Sequence, residues 1–217
     1  MNKRIMGWNV SDTKASFKHR SLELIVQTRP SLSFGLRAGT SMSEWQIQPK
    51  EDSVEANTPA PDLDEAYSRL DDFIVCYPQK YPWPFSYQLD VRVQPSDENL
   101  LVAELWLSVQ TSMLECNPQL SLVPTSPNAP WSSHGHFLYS GDRRSALAIH
   151  PLDKDDCRIH ADRSSSLEQL ELFGRFMEKG VIRRGRLLFI GSASPIPEKQ
   201  MIDLYKRFAD SSLPLTA

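Results

Sequence analysis

"YQLDVRVQPSDENLLVAELWLSV", residues 87–109, is the stretch from which the rest of the chain is read. Tyr87, Leu89, Val91 and Val93 alternate with Gln88, Asp90, Arg92 and Gln94. A period of two places the first set on one face of a strand, buried, and the second on the other, wet. "PSDEN" reverses the chain, and Leu101, Ala103, Leu105, Leu107 and Val109 share a face on the way back. The pair predicts an antiparallel hairpin.

Working outward, "LELIVQT" alternates Leu22, Leu24 and Val26 with polar residues and predicts a strand. Its partner is "LSFGLRAG", after a turn around Arg29–Ser31, with Gly35 suggesting a bulge. "FIVCY" reads as a buried strand, and "RLLFIG", apolar on both faces, as a central one. Helical spacing shows in three places. In "DLDEAYSRLDD", residues 62–72, Asp62 and Glu65 make a capping-box-like pair. Leu63, Ala66, Tyr67 and Leu70 there fall on one helical face. In "SSSLEQLELFGRFMEKG", Ser165 and Glu168 cap a stripe of Leu167, Leu170, Phe173 and Met177 that ends at Gly180. "PEKQMIDLYKRFAD" starts with Pro197, suited to a first helical position. A strand at 157–160, the helix after it and a strand at 186–190 predict a right-handed βαβ unit. The expected fold is therefore α+β: mostly antiparallel sheet from N-terminal and central strands, two C-terminal amphipathic helices, and one short helix near 62–72.

With 217 residues, 40% of them apolar and 24% charged, the chain is long enough to bury its own core. Residues 1–20, basic and without clear period, are expected to form a flexible arm. Residues 21–217 are expected to form a single domain, with an exposed acidic, proline-bearing loop at 49–61. The net charge of −3 gives no global attraction for nucleic acid or acidic lipid. Charge is nevertheless uneven: residues 51–72 carry eight acids and one base, and residues 175–186 five bases and one acid. Cys76, Cys116 and Cys157 are too few and too scattered for a disulfide framework. "MNKRIMGWNV" lacks an apolar run of signal-peptide length, and nowhere do eighteen apolar residues run together. A cytoplasmic setting without a membrane partner is expected.

Three clusters could carry chemistry or binding. His134, His136, His150 and His160, with Cys157, supply residue types that ligate zinc, and Asp155, Asp156 and Asp162 could supplement them. The alternation of Phe137 and Tyr139 with that of Leu147 and Ile149 predicts a hairpin across "SGDRRS" in which His136 stands opposite His150. The spacing matches neither H-E-x-x-H nor paired C-x-x-C, so solvated or hydrogen-bonded histidines are the plainer reading. "YPQKYPWPF" packs aromatic rings among prolines; Tyr81, Trp83 and Phe85, with Trp106, could present flat surfaces to a ligand, or simply cover a sheet edge. Arg183, Arg184 and Arg186 could hold an anion, or serve only in salt bridges.

No catalytic constellation stands out, so the chain reads as a soluble binding or assembly protein with no cofactor. Its partner would be an unidentified protein or a second copy of itself, nucleic acid being disfavoured by the charge. The alternatives are a zinc-type hydrolase built on the histidines and a β-sandwich that binds sugar or lipid.

Overall fold

The computed structural model describes residues 7–50, 54–55, 58–94, 96, 99–125, 132–134, 137–161 and 168–211. In chain order the first strands are β1 (Trp8–Val10), β2 (Lys14–His19), β3 (Leu22–Gln27), β4 (Ser33–Ala38), β5 (Ser41–Lys50) and β6 (Glu65–Arg69). Next come β7 (Asp72–Tyr77), β8 (Ser86–Gln94), β9 (Leu100–Gln110), β10 (Glu115–Cys116), β11 (Gln119–Pro124) and β12 (Ser132–His134). The last are β13 (Phe137–Tyr139), β14 (Ser145–Ile149), β15 (Cys157–Ala161), β16 (Glu168–Phe173), β17 (Met177–Glu178) and β18 (Ile182–Ser192). A 3-10 helix spans Pro151–Asp156 and α1 spans Glu198–Ala209.

Two eight-stranded sheets form, ordered β1-β2-β3-β4-β5-β11-β16-β15 and β12-β13-β14-β18-β9-β8-β7-β6. A small ribbon pairs β10 with β17. Among the described residues every pairing is antiparallel. The predicted hairpin forms as β8 and β9, with Leu89 opposite Leu107 and Val91 opposite Leu105. These side chains meet Phe34, Trp45, Leu122 and Leu170 of the other sheet in one continuous core, so the sheets pack face to face. The approach is close: a Cβ on Gly191 would stand 2.5 Å from Leu36 Cδ2.

A second apolar layer lies on the opposite face of the second sheet. Leu100, Val102, Ala146, Ala148, Leu188 and Ile190 are covered there by Met201, Leu204 and Phe208 of α1. This layer explains why β9 and β18 are apolar on both faces.

The α+β expectation is therefore corrected. Among the described residues there is one α-helix, at the C-terminal end, on a mostly antiparallel β structure. Residues 62–72 hold no helix; Glu65–Arg69 is the edge strand β6, paired with β7. The helical spacing misleads there because Tyr67 and Leu70 stay exposed instead of forming a buried stripe. Residues 168–178 are β16 and β17. Leu170 and Leu172 alternate with Glu171 into the core, a period of two that outweighs the helical match when neighbouring strands supply both edges. Phe173 and Gly174, at φ of 71° and 77°, then end the strand. The proposed cap at Ser165 lies outside the described residues. No βαβ unit forms, since β15 and β16 are antiparallel neighbours. Residues 8–19, expected to be a flexible arm, contain β1 and β2, and Trp8 packs on Phe17 and Phe73.

Gly191→Ala is expected to lower stability by about 1–3 kcal/mol, the usual cost of overpacking a filled core. Denaturant unfolding measures it; an unchanged midpoint would mean that the sheets yield at this point.

Candidate binding surface

The three clusters singled out in the sequence are pulled apart by the fold. Trp83 and Phe85 are buried in the core between the sheets, edge to face at 6.1 Å. Trp83 Nε1 donates to the Pro59 carbonyl at 2.7 Å, which closes the 58–61 segment over it. Trp106 is buried on the opposite face of the second sheet, donates to Glu104 Oε2 and lies under the guanidinium groups of Arg92 and Arg184 at 4.2 and 5.3 Å. Of the four aromatics only Tyr81 is open, at 96% exposure. They do not line one site. Trp83 does border a cavity of about 650 Å³ shared with Gln46, Gln48, Gln119 and Pro30.

The histidines also separate. His150 follows β14 in the second sheet, whereas His160 lies in β15 of the first, opposite Gln169. His134 belongs to β12, opposite Phe137; His136 and Asp162 lie outside the described residues. The predicted register is corrected: Phe137 pairs with Ala148 and Leu138 with Leu147, so His150 falls beyond the ladder. The face argument assumes one wet side, but Leu138 and Leu147 enter the inter-sheet core while Phe137 and Tyr139 lie under α1. Burial pushes the Cys157 thiol up to about 12, with Asp153 and Asp156 adding to the effect, so it is held as an unreactive thiol. Among the described residues no three His, Cys, Asp or Glu side chains gather as a metal site.

Arg186 parts company with Arg183 and Arg184. It is 2% exposed, and Asp153 Oδ2 accepts from its Nε at 3.0 Å and from its backbone N–H at 2.9 Å. His150 Nδ1 stands 3.0 Å from its terminal nitrogen and also accepts from the Leu152 N–H. Accepting twice at Nδ1 fixes the neutral tautomer with its proton on Nε2. The ring meets Phe208 of α1 edge-on at 4.8 Å. Burial first, then the Arg186 charge, lowers the pKa of His150, against smaller opposing effects of Asp153, the Phe208 backbone and Glu104. This buried network ties the 3-10 helix to β18 and seats α1; it presents nothing to a substrate.

A different surface emerges at one end of the sandwich, where three segments are joined by hydrogen bonds. The Ser112 N–H donates to Gln79 Oε1 at 2.8 Å, and Thr111 Oγ1 donates to the Pro84 carbonyl at 2.6 Å. The Gly180 N–H donates to the Thr111 carbonyl at 3.0 Å, and Ile182 stands opposite Gln110. The segments 79–84, 111–116 and 174–184 thereby share this end. They carry Tyr81, Met113, Leu114, Phe176, Val181 and Ile182, six of the twelve large apolar side chains that the described residues expose. Leu114 is 79% exposed. Arg175, Lys179, Arg183 and Arg184 lie among them, against Glu115 and Glu178. Arg183 donates to the Phe176 carbonyl at 2.7 Å, and Arg175 pairs with Asp156 at 3.3 Å.

Sequence reasoning finds Tyr81, Arg183 and Arg184 but misses the apolar half of this end. Helical spacing puts Phe176 inside a helix, and Met113 and Leu114 trail a strand without a role of their own. The signal that could have found them is large apolar residues inside turn segments, "TSMLEC" and "EKGVI".

No family model and no curated protein matches the chain.

Two outcomes test the buried network. Because the folded state holds the His150 pKa below its unfolded value of about 6.5, the unfolded chain takes up the proton first. Stability is therefore full above pH 6.5 and falls as pH drops toward the lowered pKa; His150→Phe is expected to flatten this slope in denaturant unfolding across that range. Asp153→Asn leaves Arg186 buried without its counter-charge and is expected to cost about 3–5 kcal/mol. A loss under about 1 kcal/mol would show that the pair is solvated.

Proposed function

We propose that this chain is a binding or assembly protein without chemistry of its own, acting through the apolar, cation-bearing end of the sandwich. One observation carries the reading: half of the exposed large apolar side chains of the described residues gather on three segments that hydrogen bonds join through Thr111 and Ser112. Scattered apolar side chains are ordinary on a surface, but their gathering marks an interaction site. The proposed setting is cytoplasmic, in keeping with three cysteines that form no disulfide. The partner is a protein, another one or this chain itself, because the mixture of apolar, arginine and glutamate side chains suits a protein interface better than a nucleic-acid backbone. Among the described residues no helix is long and apolar enough to cross a membrane.

A second reading rests on the cavity of about 650 Å³ beside Trp83. Its glutamine amides and ring edge suit a sugar, and a thermal shift with a panel of mono- and oligosaccharides would support it.

The main reading is tested with immobilised wild-type protein and a Leu114→Asp, Phe176→Ser variant, each exposed to extract of the native cells. Both positions are exposed, so the variant is expected to fold with stability within about 0.5 kcal/mol of wild type. A protein retained by wild type and at least tenfold less by the variant is the expected result. Equal retention overturns the reading.

A further inference from the structure

The face of the second sheet that turns away from the first carries a polar cleft beside the apolar end. The alternation that sends Tyr77, Tyr87, Val109 and Leu187 into the inter-sheet core puts Cys76, Gln88, Ser108 and Arg184 on the opposite face. These four stand in register across β7, β8, β9 and β18, and Ser86, Gln110 and Ile182 form the next row. A cleft of about 210 Å³ lies over the two rows. It is bounded on the β6 side by Asp64, whose backbone N–H donates to the Cys76 carbonyl at 3.1 Å.

Only two of the lining residues are charged, and they stand at opposite ends: Asp64 beside β6, Arg184 on β18. Arg184 Nε donates to Ser108 Oγ at 3.2 Å, so the side chain leans inward over β9. The remaining four N–H groups of its guanidinium are open to an acceptor. Among the described residues neither charge has an ion-pair partner, and the Asp64 carboxylate accepts no hydrogen bond. They cannot pair with each other, because four strand spacings, about 19 Å, separate their backbones. The floor between them is neutral. Gln88 accepts from Cys76 Sγ at 3.4 Å and donates to Asp90, and burial, with smaller effects of Glu65, Asp90 and Asp64, pushes the Cys76 thiol up to about 11.

We infer that this cleft is a binding site for a dipeptide with free termini, its ammonium toward Asp64 and its carboxylate toward Arg184. An ion of one sign is drawn to one end of the cleft and repelled by the other; a zwitterion laid along it gains at both. The planar fork of Arg184 matches a carboxylate. An extended dipeptide is about 7 Å long. A charge-assisted hydrogen bond of about 2.8 Å at each end, with the inward reach of the two side chains, completes the span. Ile182 is 56% exposed and lies two residues from Arg184 on the same strand face, where it offers an apolar contact beside the carboxylate. The C-terminal residue of the ligand is therefore apolar. The cleft is smaller than the roughly 300 Å³ at which drug-sized pockets begin, in keeping with so small a ligand. It goes beyond the partner surface: Leu114 and Phe176 do not line it.

Nuclear magnetic resonance titration of the full chain with glycyl-leucine, to roughly 10 mM, reaches past the millimolar range of weak specific contacts. Saturable shifts at Gln88, Ser108 and Gln110 are expected, weakened by raised salt. N-acetyl-glycyl-leucine, which lacks the ammonium, and glycyl-leucinamide, which lacks the carboxylate, are each expected to bind at least tenfold more weakly. Asp64→Asn is expected to weaken glycyl-leucine at least tenfold and to leave the acetylated form no weaker. Arg184→Gln is expected to do the same with the amide form left no weaker. Arg184 also lies over Trp106, at 5.3 Å. The Asp64 side chain has no such contact, so Asp64→Asn tests the site even if Arg184→Gln unfolds. The Leu114→Asp, Phe176→Ser variant is expected to bind glycyl-leucine as wild type does; a loss there would place the dipeptide elsewhere and overturn the inference. So would no saturation by roughly 10 mM, equal binding of the free and blocked dipeptides, or Asp64→Asn at wild-type affinity.

Discussion

The pairing of β9 with β18 is the constraint on which the other layers depend. Over its length, from Ile182 opposite Gln110 to Ser192 opposite Leu100, each strand sends alternate residues to two different interiors. Leu187 and Phe189 face the other sheet, while Leu188 and Ile190 face α1. A slip of one residue would exchange the two sets. Both sets are apolar at their centre, so hydrophobic burial alone would tolerate the exchange poorly but not forbid it. Arg186 makes the choice unambiguous. In the observed register it sits across from Trp106 and finds Asp153; shifted by one, it would enter the inter-sheet core with no counter-charge, at several kcal/mol.

The same residue fixes the segment after β14. Asp153 sits in the 3-10 helix that leads from the second sheet to the first, and its carboxylate holds Arg186 by side chain and backbone together. His150 joins them under Phe208, so the crossing between sheets, the central strand and the C-terminal helix meet at one buried point. A histidine in such a place is easily mistaken for a ligand on composition alone. Its role here is to accept two hydrogen bonds and to fill space beneath an aromatic ring.

Legibility in the sequence depends on how many faces of an element are buried. The β8–β9 hairpin is legible because β8 alternates cleanly along its length. Residues 137–149 are misregistered for the opposite reason: with both faces covered, Phe137 and Leu138 give no polar phase to follow. The segment 168–178 contains both periods, and its choice of strand rests on β11 and β15 flanking it, which no local pattern records. The binding end is half legible. Its arginines and Tyr81 draw the eye in a sequence, but that Leu114 and Phe176 are open depends on the way three distant turns meet.

The position of β18 in the middle of its sheet has a consequence for how the chain comes into being. Its neighbours are β9 and β14, and the helix that covers them comes after it in the chain. A nascent chain that has not yet extruded residues 182–192 therefore has β6 to β9 as one ribbon and β12 to β14 as another, each with an unpaired edge where the centre belongs. The first sheet meets a milder form of the same delay, since β11 must find β5 and then wait for β16. Contacts between such distant segments make assembly slow and leave strand edges open meanwhile. Synthesis of residues 182–192 is the event that converts two half-sheets into one, so speed of elongation there, and protection of the waiting edges of β9 and β14, would govern how much of the protein reaches its native state.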